Sequence, residues 1–180
     1  MRCFVGWILP NDLKERVWEI SEKISKLPLK AKFVEKENLH INFSFLGEVS
    51  EDKINLMYKD LEKLCSETRV IKIFVGGVKP IPSEKRIRVI AIDVLSTELE
   101  NFMRKIIGKI GGKNKPPHIT LCRVKKVEDK EMITIAKKFG IFDEFYIKKV
   151  QVIESVLRRD GPTYKVLREF DLINSVTTPL

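Results

Sequence analysis

The sequence predicts an α+β protein in which two small lobes with antiparallel strands pack against each other. Strand-like and helix-like patterns alternate along the 180 residues, the second half of the chain resembles the first, and the only two histidines fall at equivalent positions of that repeat. Neither half is long enough to bury a generous core alone. We therefore expect a single domain over residues 1–180, made of two pseudo-symmetric, interleaved lobes.

The first lobe is expected to open with a strand over residues 2–9, RCFVGWIL, because aromatic and β-branched residues suit a half-buried sheet. Apolar residues at helical spacing then predict a helix over residues 13–27. Strands are expected at 31–37 and 40–47. A second amphipathic helix follows, with Ser50 as its N-cap.

Two further strands, residues 69–78 and 86–94, are predicted on either side of the turn-rich segment KPIPSEK, and from there the pattern repeats. RVIAIDVLSTELENFMRKI resembles RCFVGWILPNDLKERVWEI without gaps, and HITLCRVKKVEDKEMITIAKKF resembles HINFSFLGEVSEDKINLMYKDL. The later stretch VQVIESVLRRDGPTYKVLREFDL resembles the strand-turn-strand of residues 70–94. One unit is thus used twice, which differs from a solenoid array.

The composition, 43% apolar and 33% charged residues, is typical of a soluble globular protein. No apolar run approaches the roughly 20 residues that span a bilayer, and the apolar start lacks the small-residue cleavage site of a signal peptide. Three cysteines without paired spacing argue against a disulfide framework and for a reducing, cytoplasmic location. Two histidines and no C-x-x-C pair argue against a structural zinc site.

The net charge of +9 would attract polyanions such as RNA or DNA. The alternative is a lysine-rich solvated surface. Abundant Lys and Glu with a single glutamine also fit the composition of a thermophile's protein. Charge alone therefore does not decide between a ligand and a solvated surface.

The two histidines lie on equivalent predicted strands. Because alternate side chains of a strand share a face, His40 and Asn42 are expected to point one way, and His118 and Thr120 likewise. Each lobe thus has a short polar row backed by bulky apolar residues. A buried polar row needs partners. Two rows that face each other across a pseudo-twofold cleft would supply partners to each other, to water or to a ligand.

Ser44 and Cys122 continue the two rows by strict alternation. We interpret both as small residues that let strands approach, because they occupy equivalent positions of the repeat. A nucleophilic thiol at Cys122 is the alternative.

Two imidazoles suit general acid–base chemistry. With an ordinary pKa of about 6.5, one can be neutral and accept a proton from a nucleophile, and the other can be protonated and donate to a leaving group. The Thr120 hydroxyl and the Asn42 amide can donate hydrogen bonds to oxygens that gain charge. A strained phosphorus, as in a 2',3'-cyclic phosphate at an RNA end, suits this chemistry. The alternative is that each histidine only forms a hydrogen bond within the core.

The segments NLHINFSFLGEV and PPHITLCRVK resemble the paired H-x-T-x motifs of the two-histidine phosphoesterase superfamily. Within it, the chain is similar to the RNA 2',3'-cyclic phosphodiesterase group, also called 2'-5' RNA ligase-like. The resemblance covers nearly the whole chain, from the opening MRCFVGWILP to the closing ESVLRRDGPTYKVLREFDL.

The resemblance implies a bilobal fold with two antiparallel sheets, helices on their outer faces, and the histidines facing across a central cleft. It implies hydrolysis of RNA 2',3'-cyclic phosphate ends to 2'-phosphates without a metal or cofactor, with His40 as proton donor and His118 as proton acceptor. The near-symmetry of the site leaves that assignment open. Run backwards, the same groups could join a cyclic-phosphate end to a 5'-hydroxyl. The expected partner is RNA with 2',3'-cyclic phosphate ends, tRNA fragments included. We expect the protein to be a monomer and expect no membrane partner.

Three further residues are candidate substrate contacts. Asn42 occupies the position where the family has Thr or Ser, so the phosphate grip is either intact or weakened. Arg123 matches a family arginine that can reach phosphate, but strict alternation places it on the face opposite His118 unless the strand bulges. Tyr164 is either a base-stacking or oxygen-binding residue or an ordinary strand aromatic.

Four more cations are expected in loops near the mouth of the cleft, where they would attract an RNA backbone: Lys113, Lys115, Arg158 and Arg159. A different class of function, an RNA-binding module with a weakened or inactive site, is suggested by Asn42 and by the basic charge. A third possibility is an enzyme that acts on a small cyclic nucleotide or a 2'-5' oligonucleotide.

Overall fold

The computed structural model describes residues 1–174 of the chain. Its strands are β1 Arg2–Ile8, β2 Leu29–Phe33, β3 His40–Glu48, β4 Ile71–Pro82, β5 Ile87–Leu95, β6 His118–Val127, β7 Gly140–Ile147, β8 Lys149–Arg158 and β9 Gly161–Asp171. Its helices are α1 Asn11–Ser25, α2 Glu51–Ser66, α3 Thr97–Ile110 and the short α4 Met132–Ala136. The α+β class predicted from the sequence is confirmed.

The strands lie in the order β7-β4-β5-β6-β3-β1-β8-β9, with β2 paired to the side of β6, and all of these pairings are antiparallel. Among residues 1–174, the halves β7-β4-β5-β6 and β3-β1-β8-β9 pair only at Ile41 and Ile119. The two expected sheets are therefore the two halves of one sheet, joined at a single residue pair.

The strand order reads the same from both ends when β3 is exchanged with β6, β1 with β5 and β8 with β4. This pseudo-twofold arrangement agrees with the repeat in the sequence. β4 follows the first repeat along the chain but pairs with β5, and β8 follows the second but pairs with β1. β2, which pairs with β6, has no counterpart on β3 in the described part of the chain.

Several elements differ from the sequence-based expectation. The strand expected at 69–78 is Ile71–Pro82, so it continues into the segment KPIPSEK expected to be a turn, and the helix expected at 13–27 is Asn11–Ser25. The strand expected at 31–37 is Leu29–Phe33, because the chain leaves β6 after Phe33 and turns through a 3-10 helix, Lys36–Asn38, to reach β3. By sequence β9 resembles β5, yet in the sheet β9 lies outside β8, as β7 lies outside β4. Sequence similarity between amphipathic strands does not fix which neighbours they pair with.

Two helices begin at serine caps. The Ser50 hydroxyl accepts a hydrogen bond from the Lys53 amide at 3.3 Å, as predicted, and the Ser96 hydroxyl accepts one from Leu99 at 3.1 Å. The buried stripe of α3 includes Phe102, whose ring lies 6.3 Å from that of Phe43 on β3. This contact anchors the apolar face of the strand that begins with His40.

The face of β3 and β6 under the helices is completely buried at Ile41, Phe43, Ile119 and Leu121. Burial of side chains of this size stabilises the fold by about 1.5–3 kcal/mol each. The core therefore holds both histidine-bearing strands firmly from one side. Among residues 1–174, no helix is both long and apolar enough to cross a membrane.

Candidate active site

The two histidines are brought together by adjacent strands. His40 begins β3 and His118 begins β6, and the strands pair at Ile41 and Ile119, the next residue in each motif. Continuing this antiparallel register would set His40 opposite Thr120 and Asn42 opposite His118. The polar residue of each motif therefore lies on the strand next to the imidazole of the other motif.

A cavity of about 670 Å³ opens on this face of the sheet. All six candidate residues line it: His40, Asn42, His118, Thr120, Arg123 and Tyr164. The volume suits a ligand the size of a nucleotide.

Each imidazole is oriented by a hydrogen bond to the backbone carbonyl of the residue two positions before it. His40 Nδ1 lies 2.7 Å from the carbonyl oxygen of Asn38, and His118 Nδ1 lies 2.8 Å from that of Pro116. A carbonyl oxygen can only accept a hydrogen bond, so Nδ1 donates and carries the proton of the neutral ring. The Nε2 atom of each neutral imidazole is therefore left with a free lone pair.

His40 has an aromatic environment. Its ring centroid lies 4.8 Å from that of Phe4 and 5.3 Å from that of Tyr164, and the two aromatic rings contact each other at 5.1 Å. Burial lowers the pKa of His40, and the charge of His118 lowers it further, against the opposing effect of the Asn38 carbonyl. Tyr164 thus packs against an imidazole.

His118 has a charged environment instead. Asp93 of β5 is its direct cross-strand partner, and the Asp93 carboxylate accepts a hydrogen bond of 2.7 Å from Lys79 Nζ. Burial is the main cause that lowers the pKa of His118. The charges of Lys79 and Lys115 lower that pKa further, whereas the Pro116 carbonyl and Asp93 raise it. The site is symmetric in its imidazoles and asymmetric in what surrounds them.

A bulge in β6 brings Arg123 to the cavity. In the register with β5, Ala91 pairs with Thr120 and Ile90 pairs with Cys122, so one residue of β6 is left over. The alternation reverses there, and Arg123 lines the cavity. The expectation that Cys122 shares the face of His118 is wrong, because the bulge turns Cys122 into the core, where it is completely buried. That burial raises the pKa of the thiol to about 12.

β3 has the equivalent bulge. Val5 pairs with Ser44 and Gly6 pairs with Asn42, so Phe43 is the extra residue. Strict alternation is therefore also wrong for Ser44, which is buried and donates a hydrogen bond of 2.7 Å to the Gly111 carbonyl. Phe45 lines the cavity instead, five residues after its histidine, as Arg123 is. The repeat itself could have identified Phe45, since it aligns with Arg123.

Of the four expected loop cations, Lys113 and Lys115 line the cavity, whereas Arg158 and Arg159 are not among its lining residues. β8 extends to Arg158, so the turn after it contributes Asp160 to the wall, and the first residue of β9, Gly161, also lines it. Sequence reasoning missed Arg2, whose guanidinium lies 5.3 Å from the Phe45 ring centroid. Within residues 1–174, no group of three or more His, Cys, Asp or Glu side chains is arranged to hold a metal ion.

Asn42 has an unusual environment. Its Oδ1 is buried and has no hydrogen-bond partner within residues 1–174. An unsatisfied buried acceptor costs about 1–3 kcal/mol. The facing residue on β1 is Gly6, and a Cβ built there would lie 2.4 Å from the Ile41 carbonyl oxygen. β1 and β3 can therefore approach this closely only because Gly6 lacks a side chain.

Comparisons of the sequence find a matching family model and similar proteins that cover most of the chain. A family model described as LigT-like phosphoesterase matches residues 8–91. The RNA 2',3'-cyclic phosphodiesterase of Methanocaldococcus jannaschii is 32% identical over 179 residues, which cover 94% of this chain and 100% of that protein. The protein of the same name from Aquifex aeolicus is 29% identical and covers 96% of this chain and 97% of its own.

Solved structures show the same fold. TT0787 of Thermus thermophilus superposes with a TM-score of 0.81 at 20% identity, covering 97% of this chain and 100% of that one. LigT of E. coli in the apo form gives a TM-score of 0.77 at 22% identity, covering 95% and 96%. Another LigT structure, complexed with 3'-AMP, gives 0.73 at 19% identity and covers 95% and 97%.

Proposed function

Because the chain belongs to the LigT-like phosphoesterase family of RNA 2',3'-cyclic phosphodiesterases, we propose that it hydrolyses RNA 2',3'-cyclic phosphate ends to 2'-phosphates. One observation carries the proposal: two imidazoles on adjacent strands line one cavity, each with Nδ1 bound to a carbonyl and Nε2 left for a substrate. This pair suits a reaction that needs one proton acceptor and one proton donor.

The reaction balances with these two groups. His118 Nε2 accepts a proton from water as the water oxygen forms a bond to phosphorus. The bond from phosphorus to the 3' oxygen breaks, and Nε2–H of protonated His40 donates its proton to that oxygen. The products are a 2'-phosphate and a free 3'-hydroxyl, with the proton moved from His40 to His118. Solvent returns both rings to their starting states.

The charges beside His118 support this assignment. Lys79 and Lys115 oppose a proton on His118, which favours the acceptor role. The Thr120 hydroxyl, the Asn42 amide and the Arg123 guanidinium are the donors proposed to bind the phosphate oxygens, since all three line the same cavity.

The primary test uses an RNA oligonucleotide that ends in a 2',3'-cyclic phosphate, incubated with the protein in the presence of EDTA. A product with 2'-phosphate and 3'-hydroxyl is expected, because His40 is proposed to protonate the 3' oxygen. A 3'-phosphate product would contradict the leaving-group geometry. Binding of the RNA without turnover would instead support the RNA-binding module. Ligation is tested in the same mixture by adding a 5'-hydroxyl RNA and probing for a 2'-5' linkage.

The pH dependence follows from the direction of the two pKa shifts. Both pKa values lie below 6.5 because of burial. The active form, with His40 protonated and His118 neutral, is therefore lost as the pH rises through the lowered pKa of His40. We expect kcat/KM, which reports the free enzyme, to be greatest below pH 6.5. A plateau that persists to about pH 8 in a kcat/KM profile would contradict it.

Substitutions of the ion pair beside His118 test the acid and base assignment. Asp93→Asn removes a charge that raises the pKa of His118, so the acidic limb of the kcat/KM profile should move to lower pH. Lys79→Gln should move the same limb to higher pH. The basic limb, assigned to His40, is the internal control. Movement of the basic limb instead would contradict the assignment of that limb to His40.

Replacing Asn42 with the family's threonine is expected to keep or raise cyclic phosphodiesterase activity. The change also removes the unpartnered buried Oδ1 and introduces a residue that favours strands, so the midpoint of thermal unfolding should rise. Steady-state kinetics and a melting curve measure both effects. A tenfold loss of activity would show that the amide has a role that a hydroxyl cannot fill.

A further inference from the structure

We propose that the RNA strand leading to the cyclic-phosphate end binds along a basic track formed by β2 and the distal part of β6. The basic track consists of Lys30, Lys32, Arg123 and Lys126. The proposal rests on the proposed function and deepens it, since it makes the preferred substrate an oligonucleotide rather than a cyclic mononucleotide.

The track is a ladder of like charges. In the antiparallel register of β2 and β6, Lys32 is directly opposite Arg123, and Lys30 is directly opposite Lys126. Directly opposed residues share a face of the sheet. Lys32 and Arg123 both line the cavity, so the ladder begins at the candidate active site and continues outward to Lys30 and Lys126.

This arrangement costs the folded state free energy. Like charges directly opposite each other destabilise a pair of strands. All four side chains are exposed, and none of them forms an ion pair within residues 1–174, although other surface lysines do. Glu35 and Asp160 also line the cavity, and the Glu35 carboxylate and the Lys32 ammonium lie on the same side of Gly161, but neither acid forms an ion pair with a residue of the track within residues 1–174. Four adjacent cations that form no ion pair in this part of the chain suit a ligand that brings its own negative charges.

The position of the track determines on which side of the cavity the RNA strand leaves the active site. β2 has no counterpart on β3, so the charge ladder occurs beside His118 alone. The His40 side has the aromatic rings of Phe4 and Tyr164, and its cations, Arg2 and Lys113, lie beside Phe45 and form no ladder of opposed charges. Successive rungs are two residues apart on β2, about 6.6 Å, which is comparable to the step between phosphates of an extended nucleic-acid strand. On β6 the same rungs are three residues apart, because the register shifts between Lys30 and Ala31. A terminal nucleotide in the cavity therefore leaves its preceding phosphates over the track.

The test uses the double variant Lys30→Gln/Lys126→Gln, since neither residue lines the cavity. The matched control is Lys59→Gln/Lys105→Gln, which removes two exposed charges from α2 and α3. Each protein is assayed with a decamer RNA that ends in a 2',3'-cyclic phosphate and with a 2',3'-cyclic mononucleotide, over a series of salt concentrations.

For the track variant we expect kcat/KM on the decamer to fall about five- to tenfold at low salt, with the mononucleotide unchanged. The slope of log kcat/KM against log salt for the decamer should become shallower by about 1.4, since each neutralised phosphate of a single strand contributes about 0.7. The control variant should behave as wild type. The track variant should melt no lower than wild type, because repulsion between Lys30 and Lys126 is relieved.

Three results would overturn the track. The kcat/KM of the track variant could change equally on the decamer and the mononucleotide, it could stay unchanged on the decamer, or the control variant could show the same loss. Failure of the proposed function is a different result: wild type would turn over neither substrate. The track is then tested by the binding of a labelled decamer that ends in a 2'-phosphate, measured by fluorescence anisotropy. The track is supported if the plot of log binding constant against log salt is shallower for the track variant than for the control variant by about 1.4. Equal slopes for the two variants would overturn the track.

Discussion

Replacing either histidine with glutamine, His40→Gln or His118→Gln, is expected to lower turnover of an RNA 2',3'-cyclic phosphate by about 10²- to 10⁴-fold. Glutamine approximates the size of imidazole and can form hydrogen bonds, but it cannot take up or release a proton near neutral pH. Both rings donate Nδ1–H to a backbone carbonyl, which leaves Nε2 as the reactive atom of each. The loss should therefore appear in kcat more than in KM.

The double variant separates concerted from independent action. Since both groups are proposed to act in one transition state, removal of the second histidine should cost much less than removal of the first. Binding of a 2'-phosphate RNA and the thermal midpoint are the controls for an intact fold. A single variant that keeps more than about a tenth of wild-type kcat would show that its imidazole does not transfer a proton in the rate-limiting step.

Gly6→Ala is expected to damage both the fold and the site. The new Cβ would lie 2.4 Å from the Ile41 carbonyl oxygen, which is backbone and cannot rotate away. Overpacking of this kind costs about 1–3 kcal/mol, or a fall of about 2–12 °C in the midpoint of thermal unfolding. Ile41 lies between His40 and Asn42, so displacement of β3 should also lower kcat.

Gly108→Ala is the matched control. Gly108 is an exposed residue of α3, and a Cβ added to it would meet no atom within 4 Å. Alanine there should stabilise the helix by about 0.5–1 kcal/mol and leave activity unchanged. Equal melting points for Gly6→Ala and wild type would show that β1 and β3 can separate without cost.

The sequence predicted the repeat, the paired histidines and their meeting in one cavity because these depend on local patterns and on the similarity of the two halves. It did not predict the faces of Ser44, Phe45 and Cys122. Alternation assumes a strand without extra residues, whereas β3 and β6 each insert one against β1 and β5. A bulge depends on the pairing of two strands, so neither strand's own sequence contains it.

The charged surroundings of His118 were also missed. Lys79 and Asp93 lie on β4 and β5, and they reach His118 only because that hairpin pairs with β6. One signal was available: the aligned residue of the first repeat is Trp7, so Asp93 places a carboxylate where its counterpart strand is apolar. A charge at an apolar position of a repeat is a reason to look for a partner.

The exchange of strands between the repeats has a consequence for how the chain could be divided. The turn between β4 and β5 separates the repeats in sequence, but each resulting piece would lack strands that complete its half of the sheet, since β4 pairs with β5 and β8 pairs with β1. Each piece would also contain one of the two histidines, His40 or His118. Two such polypeptides would be inert apart and complementary when mixed, so this chain is a natural candidate for a split reporter whose signal requires reassembly.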